Sequence, residues 1–163
     1  MAQLIKAPGK FPDGGRSVFL SGSIEMGAAE DWQTRVALAL DDLDIAILNP
    51  RRDDWDSSWV QSITDMRFEA QVRWELLGMR LAHTIAVYFA PETKAPITLL
   101  ELGLAARSGK AIVCCPNGFY RKGNVEVVCS EYGIPLVDTL EELVERVRTR
   151  LVAPRSWERG FYE

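Results

Sequence analysis

Short apolar runs bounded by turn residues alternate along the chain with longer segments of helical period. "SVFLSGS" (17–23) reads as a buried strand ending in small polar residues. From Glu30 to Leu43, Trp32, Val36, Leu40 and Leu43 recur at helical spacing. "DIAILNP" (44–50) is a second strand, stopped by Asn49-Pro50. After a polar, Trp-rich loop, a long helix is predicted from Thr64 or Asp65 to Leu81, with Phe68, Val72, Leu76 and Met79 on its core face. "TIAVYFA" (84–90) and "KAIVCCP" (110–116) are the third and fourth strands. Between them a nearly all-apolar helix is predicted from Leu99 to Ser108, closed by Gly109. Asn124 to Tyr132 forms a short helix ended by Gly133, "IPLVD" (134–138) a fifth strand, and Thr139 to Leu151 an amphipathic helix. That last helix carries Leu140, Leu143, Val144, Val147 and Leu151 on one side.

Five strands alternating with helices predict a parallel sheet covered on both faces. Right-handed crossovers leave few topologies, and the expected one is a flavodoxin-like three-layer α/β sandwich with five parallel strands in the order 2-1-3-4-5. Residues 1–16, rich in Pro and Gly, are expected as an extended arm, 17–151 as the domain and 152–163 as a tail. Such folds bind ligands outside the carboxyl ends of their strands. That rule selects Ser21-Gly22-Ser23, Asn49 to Asp54, Phe89 to Glu92, Pro116 to Tyr120 and the start of the apolar helix.

Composition narrows the function. At 163 residues the chain is one domain's worth, with 47% hydrophobic and 26% charged residues. A net charge of −4 offers no basic footprint for a nucleic-acid polymer or an anionic membrane, although a small nucleoside or nucleotide needs only a local site. The N-terminus shows no apolar signal region, and no apolar run approaches the roughly 20 residues of a bilayer span. Cys114, Cys115 and Cys129 are odd in number without a CxxC pair, which suits a reducing cytoplasm and neither a disulfide framework nor a zinc site. His83 is the single histidine, so a histidine-rich metal site is excluded. No cofactor is implied.

Glu101 poses the sharpest chemical question. It lies among Ile97, Leu99, Leu100, Leu102 and Leu104, where a carboxylate costs free energy unless it is solvated, hydrogen-bonded or used. One reading is a capping box, with Thr98 as N-cap and Glu101 three residues on. The other is a packed carboxylate at the ligand end of the sheet, serving as a nucleophile or as a partner for a cationic transition state. In "NPRRDDWDSSW", Arg51 and Arg52 either pair with their neighbouring aspartates or bind a phosphate in bidentate fashion, while Trp55 and Trp59 offer faces for a base. "SGS" permits close backbone approach to a small ligand. Trp74-Glu75 reads as a core edge followed by a solvated charge. Asn124 suits a helix cap, and His83 a structural hydrogen bond.

The segments "VFLSGSIE", "LNPRRDDWD", "QVRWELLGMRLAHTIAVYFAP", "ITLLELGLAARSGK" and "CCPNGFYRKGNVEVVCSEYG" together resemble the nucleoside 2-deoxyribosyltransferases. More closely they resemble a bacterial deoxyribosyltransferase-like branch that carries the NPRR segment, over roughly residues 17–150. The resemblance implies a flavodoxin-like homo-oligomer, a dimer at least. It implies cleavage of an N-glycosidic bond through a covalent glycosyl-glutamate, with Glu101 of "ELG" as nucleophile. It also implies that Phe19, Ser21 and Gly22 line the base pocket and that Asn124 reaches a neighbour's site. Two departures stand out: His83 replaces an aspartate common before the third strand, and Ala95 replaces a second acid six residues before the nucleophile. Asp54, Glu75, Glu92 and His83 are the remaining candidates to protonate the leaving base.

The expectation is an enzyme acting on a small nucleoside or nucleotide. Glu101, Asp54 and His83 are its catalytic candidates. Phe19, Ser21, Gly22, Ser23, Asn49, Arg51, Arg52, Trp55, Glu92, Thr98 and Asn124 are its substrate-binding candidates. A 5′-monophosphate N-glycosidase and a non-catalytic nucleotide sensor are the rivals, since fold does not settle function.

Overall fold

Val18, Leu20, Ile45, Ile47, Ala86 and Ile112 point to one side of the central strands, and Phe19, Ala46, Leu48, Ile85, Val87 and Val113 to the other. A sheet apolar on both faces must be covered on both, and it is. In the computed structural model, which describes residues 1–24 and 30–154, six parallel strands lie in the order β1-β3-β2-β4-β5-β6. They are β1 (Gln3–Lys6), β2 (Arg16–Gly22), β3 (Ile45–Asn49), β4 (Thr84–Tyr88), β5 (Ala111–Cys114) and β6 (Leu136–Val137). The helices are α1 (Trp32–Ala39), α2 (Met66–Leu81), α3 (Pro96–Ala105), α4 (Lys122–Tyr132) and α5 (Leu140–Val152). The flavodoxin-like class stands, and β3-β2-β4-β5-β6 is the expected order of five. The sixth strand is the correction: residues 3–6 of the supposed arm pair with β3 from Gln3↔Ala46 to Lys6↔Asn49. An open β3 edge would leave backbone donors and acceptors unpaired, and β1 covers them. Of the expected tail, residues 155–163 lie outside the described residues.

Trp32, Val36 and Leu40 of the α1 region and Leu140, Leu143, Val147 and Leu151 of α5 cover one face. Trp74 and Met79 of α2, Leu102 and Ala105 of α3, and Val125 and Cys129 of α4 cover the other. The helix at the C-terminus obeys its pattern fully, including a Thr139–Glu142 capping box.

Three helices depart from the pattern. α2 buries Gln71, Trp74, Gly78 and Met79, while Leu76 lies exposed and Phe68 and Val72 lie at the margin. The inner face is thus turned away from the most apolar stripe, toward Gln71 and Gly78. A Cβ on Gly78 would lie 2.9 Å from the Phe19 ring, so glycine is what lets α2 approach β2 this closely. α3 begins at Pro96, three residues before the predicted start, because the proline presets the first helical φ and Ala95 turns the chain in the left-handed region (φ 43°). α4 begins at Lys122, so Asn124 lies inside its first turn and does not cap it.

Candidate active site

Ser21, near the carboxyl end of β2, shares the face of Phe19 and meets α3. Its hydroxyl donates to Glu101 Oε2 over 2.5 Å, and both residues are buried. The early start of α3 puts Glu101 in its second turn and makes Thr98 the third helical residue. The capping-box reading therefore fails, and Glu101 is a buried carboxyl pointed at the sheet. Burial pushes its pKa up to about 7; the Ser21 hydrogen bond opposes the rise, and the nearby charge of Glu75 adds to it.

Glu75 comes from α2 and is only partly solvated, contrary to the expected solvated charge. Burial raises its pKa as well, against a hydrogen bond from Gln71. Gln71 Nε2 donates to Glu75 Oε1 (2.9 Å) and to the Pro50 carbonyl (3.0 Å), while its Oε1 accepts from Arg52 (3.4 Å). An ionised Glu75 disfavours ionisation of Glu101, the smallest of the three influences on it. The site thus holds a buried carboxyl whose ionisation is opposed by the charge of a second, partly buried one.

The remaining expected residues divide into those at this end of the sheet and those elsewhere. Asn49 Oδ1 accepts from the Arg51 amide and shapes the turn after β3. Arg51 lies 3.4 Å from Asp31, the N-cap of α1. Arg52 is engaged twice by Asp54 (2.8 Å each) and stacks on Trp59 at 4.9 Å. Asp54 is therefore an exposed partner of Arg52, with its pKa lowered by that pairing. Trp55 packs against Trp59, with ring centroids 5.0 Å apart. Ser23 bonds Thr93 and the Ala90 amide, tying the ends of β2 and β4 together. Gly22 serves packing: a Cβ there would lie 2.4 Å from the Trp32 ring. Glu92, with φ 61°, is exposed where its amide meets the Gly118 carbonyl. Thr98 is buried one turn before Glu101.

His83 lies at the opposite end of the sheet. Its amide donates to the Ser17 carbonyl and its Nδ1 is 3.3 Å from Ser17 Oγ, at the amino end of β2. The structure does not bring it to Glu101. Nor is a thiol poised to act, since burial pushes Cys114 up to about 12 and Cys115 and Cys129 to about 11. Among the described residues no cluster of His, Cys, Asp or Glu suits a metal ion, and no helix is long and apolar enough to cross a membrane.

The sequence profile described as "Nucleoside 2-deoxyribosyltransferase like" matches residues 15–119, a span that includes Ser21, Gln71, Glu75 and Glu101. The chain belongs to that family. A solved structure titled as a conserved protein from Enterococcus faecalis V583 is 12% identical, with a TM-score of 0.60, covering 84% of this chain and 99% of that one. That likeness supports the fold alone. No curated protein matches the chain.

Within this nucleoside 2-deoxyribosyltransferase-like chain, several family expectations meet a definite geometry. Phe19 is fully buried beneath α2, against Trp74 and Gly78. Asn124 is exposed on α4. Ala95 carries no acid, and Glu75 of α2 is the candidate whose charge acts on Glu101. Gln71 is the residue that sequence reasoning missed. Gln71, Trp74, Glu75 and Gly78 share one helical face, a spacing that was legible, but the more apolar stripe beside it drew the assignment.

Proposed function

We propose that this protein cleaves or transfers across the N-glycosidic bond of a nucleoside or deoxynucleoside. One observation carries the reading: the buried Glu101 carboxyl, held by Ser21 and coupled to Glu75, at the carboxyl ends of the strands. A Glu101 oxygen attacks C1′ while the bond from C1′ to the base nitrogen breaks. The bonding pair leaves with the base, which takes a proton from Glu75. Water or a second base then attacks C1′, loses its proton to Glu75 and releases the Glu101 carboxylate. Ser21 favours the ionised form of Glu101 and occupies one oxygen, leaving the other for attack.

A 5′-monophosphate substrate is the second reading, and it rests on Arg51. Arg52 is already held by Asp54, Gln71 and Trp59, whereas the contact of Arg51 with Asp31 is longer, at 3.4 Å. Replacing Arg51 with Ala weakens a nucleotide more than its nucleoside if this reading holds.

A homo-oligomer belongs to the same reading. Ile97, Leu100 and Leu104 of α3 are 57–60% exposed, and Leu76 and Leu81 of α2 are also exposed on that layer. Side chains of that size amount to several hundred Å² of apolar surface, of the order that one partner contributes to a standard interface. In the loop over residues 117–124, Phe119 is buried against Phe89 (centroids 4.7 Å apart), which leaves Tyr120 as its exposed aromatic. Light scattering is expected to show a dimer or larger assembly, and a fully active monomer would remove this part.

The enzymatic test incubates the protein with nucleosides, deoxynucleosides and their 5′-monophosphates, with and without a second free base. Released or exchanged base is read by chromatography, and an acid-quenched peptide map seeks a sugar adduct on Glu101. Binding without release of base by any substrate establishes the sensor instead.

A further inference from the structure

The arginine-tryptophan loop after β3, expected to grip a ligand, is wired into the carboxyl pair. Gln71 is buried and its amide has a set orientation: the Pro50 carbonyl only accepts, and the Arg52 guanidinium only donates. Its NH₂ must then face Pro50 and Glu75, and its oxygen must face Arg52. Arg52 is itself locked by the two bonds it donates to Asp54 and by the Trp59 ring. Continuous contacts thus run from Trp59 and Asp54 through Arg52 and Gln71 to Glu75, which is coupled to Glu101.

We propose that Arg52 and Gln71 are positioning residues that decide how the Glu75–Glu101 pair shares its proton. Arg52 keeps the Gln71 amide from flipping. Gln71 occupies Glu75 Oε1 with a donor, so a proton on Glu75 is directed to Oε2. The donated bond favours ionised Glu75, and that charge in turn holds the proton on Glu101. Glu75 is held by Gln71 on its own helix and reaches Arg52 only through Gln71, and its charge disfavours ionisation of Glu101 on α3. The state of the 50–59 loop is therefore read out at the site, and a ligand that rearranged the loop would move the proton toward Glu75, the group that must give it to the leaving base. This inference rests on the proposed reaction for its purpose but not for its test.

The test is a carboxyl carbon-13 NMR titration of the free protein, which needs no substrate. In Gln71→Leu the Glu75 midpoint is expected to rise by about 1 pH unit, the effect of losing one hydrogen bond to a charged group. The Glu101 midpoint is expected to fall, because its neighbour is neutral over more of the range. Arg52→Met, on the accessible loop, tests the same wiring should the buried leucine unfold the protein. It is expected to shift both midpoints in the same directions by a smaller amount. Unchanged midpoints in a folded Gln71→Leu, or in Arg52→Met when the leucine variant does not fold, overturn the inference. Altered midpoints in a protein that releases no base support the wiring while defeating the proposed reaction.

Discussion

The two ends of β2 carry the same residue and opposite chemistry. At the amino end Ser17 faces His83, an exposed imidazole beside an ordinary chain crossing. At the carboxyl end Ser21 faces Glu101, a buried carboxyl with a second acid nearby. The two serines lie four residues apart on one strand, roughly 13 Å by strand rise. His83 is exposed, and its contacts with Ser17 tie the start of β4 to β2 within reach of water. At the carboxyl end Ser21 and Glu101 are buried, and the hydrogen bond between them favours ionised Glu101. The same residue type thus meets a buried acid at one end and an exposed ring at the other.

The sharpest break in this contrast is Glu101→Gln. Loss of the nucleophile is expected to lower base release at least about 1,000-fold with the fold intact, as seen by chromatography and circular dichroism. Wild-type turnover in that variant would leave the carboxyl end no more reactive than the amino end. Next comes Glu75→Gln, which removes the proposed acid. Its rate is expected to fall about 100- to 10,000-fold, and less for bases that leave easily without protonation. Equal losses for good and poor leaving groups would reassign Glu75 to a structural part.

The same contrast appears in stability. Because Glu101 titrates at about 7 in the folded chain against 4.5 unfolded, the folded state binds the extra proton between those values. Stability from this group is greatest below pH 4.5 and is lost as pH rises toward 7. Glu101→Gln removes that loss. It is expected to gain on the order of 3 kcal/mol over wild type at pH 8, vanishing near pH 4, in paired urea titrations. A gain that is the same at both pH values would show that Glu101 is not buried with a raised pKa. The smallest effect is expected at the other end: His83→Ala should change turnover less than about twofold and stability by about 1 kcal/mol or less. A hundredfold loss of rate there would reverse the comparison.

Local pattern determined five of the six strands and the class of sheet, and the handedness of crossovers ordered those five. Buried strands announce themselves as short apolar runs, and the helix from Leu140 to Val152 follows a strict apolar stripe. Glu101 was also legible, since a charge in an apolar helix is a local anomaly, and so was its resemblance to a family nucleophile. What the sequence did not reveal depended on where faces turn. α2 carries two candidate faces, and the more hydrophobic one, with Leu76, lies outward, while Gln71 and Glu75 turn toward the carboxyl ends. Hydrophobic period ranks faces by transfer free energy, and that ranking misleads where an inner face lines a polar site and an outer one is apolar. β1 was hidden for a different reason: Gln3–Lys6 has no strand pattern of its own and gains its form from the open edge of β3. The candidates Asp54 and His83 were separated from Glu75 only by tertiary structure, because distance to Glu101 and exclusion of water belong to no single segment.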